Sequence, residues 1–276
     1  MPAPSNAWLR NLWPLWLMNY SALSPGAAEA GIHQPDQAQL AKGGAESQTM
    51  SENAFQQQPF GDPTFAENPE NRCPVVLVLD NSGSMGGPPI QQLNEGLQLF
   101  QSELVVDSLA SKRVDVAIVT FGPVRVETDF TNVMHFVPPT ISAAADTPMG
   151  AAIEKALEIL QARKAVYKQN GIAYYRPWVF LITDGAPTDS VSRATQLIKE
   201  GEEKKSFMFF AVGTDSADFQ RLRALSVREP LRLKGLQFRD LFQWLSASLS
   251  SVSKSHPDDT PALQNPAAPN GWAVAG

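Results

Sequence analysis

Two kinds of hydrophobic pattern alternate along the middle of this chain. Val75, Val76, Leu77, Val78 and Leu79 form an unbroken apolar run, which suits a strand covered on both faces, as in a parallel sheet. Ile90, Leu93, Leu97, Phe100 and Leu104 then recur at helical spacing, predicting an amphipathic helix that opens at Pro88 or Pro89. Residues 114–121 read as a second strand, Gly122-Pro123 as a turn, and 124–130 as an antiparallel return at the sheet edge. Met149, Ala152, Ile153, Ala156, Leu157 and Leu160 stripe the next helix, and a strand follows at 178–183. Val191, Ala194 and Ile198 mark another helix, and 207–212 another strand. A short helix near 219–225, a short run near Leu231, and a last helix carrying Phe238, Leu241, Phe242, Leu245 and Leu249 complete the series. This alternation predicts an α/β fold: a doubly wound, mostly parallel sheet with one antiparallel edge strand and helices on both faces.

The two ends lack such periodicity. Three of the six Trp fall in the first 16 residues, and a Pro/Ala/Gln/Gly-rich stretch runs on to about residue 49. Residues 1–63 are therefore expected to be a disordered extension, with Met50 a candidate for the true start. The folded domain is expected at 64–254. Residues 255–276, with Pro257, Pro261, Pro266 and Pro269, read as a mostly irregular tail.

Composition narrows the function. In a chain of 276 residues, 43% hydrophobic content supports a substantial core. A net charge of −6 with no basic cluster argues against nucleic acid as a partner. Cys73 is the only cysteine, which excludes an intrachain disulfide and a cysteine-built zinc site and fits a cytoplasmic location. No apolar stretch approaches the roughly 20 residues needed to cross a bilayer. Arg10, inside the apolar segment near the start, is misplaced for a signal peptide.

The chemistry concentrates in three loops. Asp80-Asn81-Ser82-Gly83-Ser84 follows the first strand directly, at the sheet edge where such folds bind ligands. One carboxylate and two hydroxyls are hard oxygen donors, suited to Mg²⁺, Mn²⁺ or Ca²⁺. The sequence is neither an EF-hand, since Met85 stands where Gly is required, nor a phosphate-binding loop, since no Lys follows the glycines. Asp146-Thr147-Pro148 precedes the second long helix, and Thr183-Asp184-Gly185 ends the strand 178–183. Each loop alone is also ordinary turn or helix-cap chemistry. Three of them at one predicted sheet edge make a shared site the better reading. Asp146 itself is expected to cap the helix.

At this point the chain resembles the von Willebrand factor A fold, whose three-loop metal motif is matched by Asp80-x-Ser82-x-Ser84, Thr147 and Asp184. Longer segments resemble the TerY-type proteins of the bacterial tellurium-resistance group. These are residues 73–80, 146–153, 176–189 (with Thr183-Asp184-Gly185-Ala186-Pro187-Thr188-Asp189) and 238–246. The resemblance spans about residues 64–254. It implies that Ser82 and Ser84 bind a divalent cation directly, Thr147 directly or through water, and Asp80 and Asp184 partly through water. It further implies that Mg²⁺ is the first choice of metal, with Mn²⁺ or Ca²⁺ as alternatives. An acidic residue of a protein partner would complete the coordination, and kinase or phosphatase components of a tellurite or general stress response are candidate partners. No catalysis is expected, and no membrane. Two other functions share these features: a metal-dependent phosphohydrolase, and an accessory subunit of a chelatase-type ATPase complex. The first is disfavoured because no Lys or Arg falls in the three loops and His33, His135 and His256 are dispersed.

Overall fold

A computed structural model describes residues 65, 67–144, 146–256, 261 and 263–276. The expected extension and its candidate start at Met50 lie outside the described residues. Seven strands form one sheet: β1 (Cys73–Asp80), β2 (Val114–Phe121), β3 (Arg125–Asn132), β4 (Trp178–Thr183), β5 (Met208–Gly213), β6 (Leu231–Leu233) and β7 (Ala273–Ala275). Their order is β3-β2-β1-β4-β5-β6-β7. β1 pairs in parallel with both β2 and β4, and β5 and β6 continue the parallel set. β3 runs antiparallel on one edge and β7 on the other.

β7 adds a second antiparallel edge to the one expected and gives the mostly irregular tail a short strand. Its three residues pair with β6, and Trp272 just ahead of it is buried, ring to ring with Trp244 at 5.7 Å. Pairing here covers the open edge of a very short β6.

The helices are α1 (Pro88–Val106), α2 (Ala110–Arg113), α3 (Met149–Gln169), α4 (Ser192–Glu203), α5 (Phe219–Leu225) and α6 (Phe238–Lys254). β1 shows why two layers of them are needed. Val75, Leu77 and Leu79 join the hydrophobic cluster that holds Leu93, Leu97 and Phe100 of α1 and Phe238, Leu241 and Phe242 of α6. Val76 and Val78 point the other way, into a cluster with Ala152, Ile153 and Ala156 of α3, Ile198 of α4 and Leu222 of α5. Successive side chains of a strand face opposite sides, so a run without polar breaks must be covered on both.

Chain direction then places the site. From β1 the chain goes to β2 on one side, and later to β4, β5 and β6 on the other. The loops leaving β1 and β4 consequently diverge and open a crevice at the carboxyl edge. The opposite end is closed by Asp115, fully buried, which accepts from Tyr167 Oη at 2.6 Å and Arg163 Nη2 at 2.9 Å. Burial and the neighbouring Asp115 charge push the Tyr167 phenol well above its ordinary range.

Candidate metal centre

β1 delivers Asp80 to the edge with its side chain fully buried. A carboxylate there needs donors, because leaving it unpaired away from water is costly. Ser82 N–H donates to Oδ1 at 2.8 Å and Thr183 Oγ1, at the end of β4, donates to Oδ2 at 2.5 Å. Burial still dominates. It raises the Asp80 pKa above the usual carboxylate value; hydrogen bonds from Ser82 and Thr183 pull it down, and the negative charge of Asp184 adds to the rise.

The loop after Asp80 folds into a single 3-10 turn, Gly83–Met85, with Met85 fully buried beneath it. This turn throws Ser82 and Ser84 to the same side. Their hydroxyls stand 3.1 Å apart, and Ser84 Oγ donates to Asp184 Oδ1 at 2.7 Å. Adjacent oxygens around an octahedral Mg²⁺, bound at 2.0–2.1 Å, lie about 2.9 Å apart. The row Ser82, Ser84, Asp184 has spacings of 3.1 and 2.7 Å, close to that value and equally those of the hydrogen bonds that hold the row together. Asp184 is 6% exposed and Ser82 2%, whereas Ser84 is open to solvent. The donors are thus buried on the strand side and reachable from outside.

Thr147 joins the site by a different route. It is buried, and its hydroxyl makes no hydrogen bond to the other four residues among those described. Its backbone is fixed by the loop that carries Asp184. Thr147 N–H donates to Thr188 Oγ1 at 3.2 Å, and Thr188 N–H donates back to the Thr147 carbonyl at 3.0 Å. Contact with the first loop runs through Gly122: a Cβ there would fall 2.8 Å from the Asp146 carbonyl oxygen and 3.1 Å from that of Asn81. Ala144 N–H also donates to the Asn81 carbonyl at 2.7 Å. The structure therefore brings Asp80, Ser82, Ser84 and Asp184 into one hydrogen-bonded group and packs the Thr147 loop against both sides of it.

Asp146 does not cap the helix as expected. It is exposed, and the residue at the cap position of α3 is Pro148, which makes no side-chain cap. The cap comes from Asp189, whose two oxygens accept from Gly150 N–H at 3.0 Å and Ala151 N–H at 2.8 Å. Gly150 is required for that approach, since a Cβ there would sit 2.4 Å from the Ser190 carbonyl oxygen. Thr183, Thr188 and Asp189 were all inside the 176–189 segment, but nothing in their spacing assigns them partners more than 30 residues away.

The donor set fits a small divalent cation: two carboxylates and up to three hydroxyls, all hard oxygens. Among the described residues no group of three or more His, Cys, Asp or Glu offers a different metal chemistry. Two carboxylates balance a doubly charged ion only formally, and hydroxyls are weak donors, so an ion here keeps its appetite for another anion.

No curated protein matches the sequence. Among solved structures, the fold is similar to the vWF domain of the type V pili tip protein Mfa5 from Porphyromonas gingivalis, with TM-score 0.50 and 11% identity over 68% of this chain and 98% of that one. It is also similar to the pilus adhesin SpaC from Lactobacillus rhamnosus GG, with TM-score 0.53 and 13% identity over 66% of this chain but only 30% of that one. Both likenesses are of fold. Residues 75–233, more than half of the sequence and all three loops, match the von Willebrand factor type A domain, and the chain belongs to that family.

Proposed function

We propose that the chain is a metal-ion-dependent protein-binding module. Asp80, Ser82, Ser84, Thr147 and Asp184 hold one divalent cation, Mg²⁺ first and Mn²⁺ or Ca²⁺ as alternatives, and an acidic residue of a protein partner takes the remaining position. The observation that carries this reading is the oxygen row Ser82, Ser84, Asp184, pre-spaced for an ion and open to solvent at Ser84. The ion would supply a positive centre. Asp80 holds the Ser82 backbone, Asp184 holds the Ser84 hydroxyl, and the packed loops hold Thr147 beside them.

The module is read as non-catalytic. Phosphoryl transfer needs cationic groups on the phosphate and a positioned base, and the three loops carry no Lys, Arg or His. Arg221, which reaches the third loop, donates to the backbone carbonyl of Pro187 at 3.1 Å. The finer assignment rests on the sequence resemblance: a TerY-like component of a tellurite or general stress response, cytoplasmic, acting with kinase or phosphatase components. Among the described residues no helix is long and apolar enough to cross a membrane.

The test is recovery of partners from the native cells on immobilised full-length chain, in Mg²⁺ and in EDTA. Retention in Mg²⁺ that is lost in EDTA and lost with Asp80→Ala is the expected result. Retention unaffected by either would sink the metal-bridged reading. A Mg²⁺-dependent phosphatase rate abolished by Asp80→Ala would instead favour the hydrolase.

A further inference from the structure

A polar groove of about 270 Å³ adjoins the metal loops. It is lined by Asn81, Arg125, Glu127 and the segment 140–144. Asn81 sits in the chain between the ligands Asp80 and Ser82 and is 7% exposed; its Nδ2 donates to the Ser142 carbonyl at 3.0 Å, while its buried Oδ1 has no donor among the described residues. The wall of the groove next to the metal thus carries an unmet acceptor.

Arg125 also lines the groove and is exposed, and among the described residues its guanidinium makes no ion pair or hydrogen bond. Its distance from the site follows from the register. Leu79 of β1 pairs with Thr120 of β2, and Thr120 pairs with Arg125 of β3. Two strand spacings place the Arg125 backbone roughly 10 Å from the end of β1, and its side chain can cover more than half of that. Glu127 lies two residues farther from the carboxyl edge and is engaged by Thr120 Oγ1 at 3.0 Å. The groove is therefore cationic at the metal end and anionic only at its far end.

We infer that this groove receives an acidic segment of the protein partner. One carboxylate completes the metal's coordination, and a second, two residues away, pairs with Arg125. In an extended segment such residues share a face and lie about 7 Å apart, less than the roughly 10 Å between the end of β1 and the Arg125 backbone, a gap the arginine side chain shortens. The inference rests on the metal-bridged capture proposed above, and Arg125 adds to it a preference for paired acids over a lone one.

Two blocked peptides, Gly-Asp-Gly-Asp-Gly and Gly-Asp-Gly-Asn-Gly, titrated by NMR into full-length chain saturated with Mg²⁺, test it. The wild type is expected to bind the two-acid peptide about five-fold more tightly, the upper range for an exposed ion pair. In Arg125→Ala that advantage falls to the statistical factor for two equivalent carboxylates, while the one-acid peptide and Mg²⁺ bind as before. In Arg125→Glu the advantage disappears. An advantage unchanged by Arg125→Ala overturns the role of Arg125 and leaves metal capture standing. If neither peptide responds to Mg²⁺ in the wild type, metal capture itself fails and this inference fails with it.

Discussion

Asp80 pays for its position before any metal arrives. Its side chain is fully buried, and burial outweighs the hydrogen bonds from Ser82 and Thr183. With the folded pKa above the unfolded one, the protonated form is the one the fold favours. The metal-free fold therefore draws most stability from this group below the unfolded pKa, and loses it as pH rises toward the folded value. In EDTA, the stability difference between Asp80→Asn and wild type should move in the mutant's favour from about pH 4 to about pH 7. Denaturant melts at the two pH values measure this, and movement in the opposite direction would show that the carboxylate is stabilised as an anion. The five proposed ligands could be named from the sequence because three loops, each ordinary turn or cap chemistry alone, fall at one predicted sheet edge and together match the family's motif. The groove of Asn81 and Arg125 was not, because only the β1-β2-β3 register brings the loop after β1 and the start of β3 together.

Among the elements, strand and helix types read correctly wherever apolar spacing carried the signal. β4 and α5 match the expected bounds, and α1 opens at the predicted prolines. Two misses on α3 share a cause in polar anchoring. The apolar stripe of α3 ends near Leu160, yet the helix runs to Gln169. Its later buried residues are Lys164, donating to the Ser206 carbonyl at 3.1 Å, and Tyr167, bonded to Asp115. A hydrophobic count cannot find a helix held that way. The N-terminus of α3 depends likewise on a remote carboxylate. Asp189→Ala removes acceptors for two N–H groups and should cost about 1–2 kcal/mol, a loss that a domain with about 5–15 kcal/mol of stability survives. It should also weaken Mg²⁺ binding less than Asp184→Ala does, since it frees the Thr147 loop without removing a ligand. Thermal melts and metal titrations of the two variants check both statements; an unchanged melting temperature for Asp189→Ala would mean the cap is not formed in solution.

At the scale of the whole molecule, the two buried clusters do the folding and the carboxyl edge is left free for binding. Alternate residues of β1 feed one cluster and the other, so the strand that ends in Asp80 is fixed from both faces. Direction reversal across the sheet at β1 leaves its loop and that of β4 beside each other. The fold thus brings together proposed ligands that lie as much as 104 residues apart, from Asp80 to Asp184. The most direct test is calorimetric titration of chelator-stripped full-length chain with Mg²⁺ and Mn²⁺. One ion should bind per chain, and Asp80→Ala and Asp184→Ala should each weaken it by about ten-fold or more, a change of about 1.4 kcal/mol. Thr147→Ala, which removes one neutral donor, should weaken it less. Unchanged affinity in both Asp variants would contradict the account, because the three loops would then be turns held together by hydrogen bonds and nothing more.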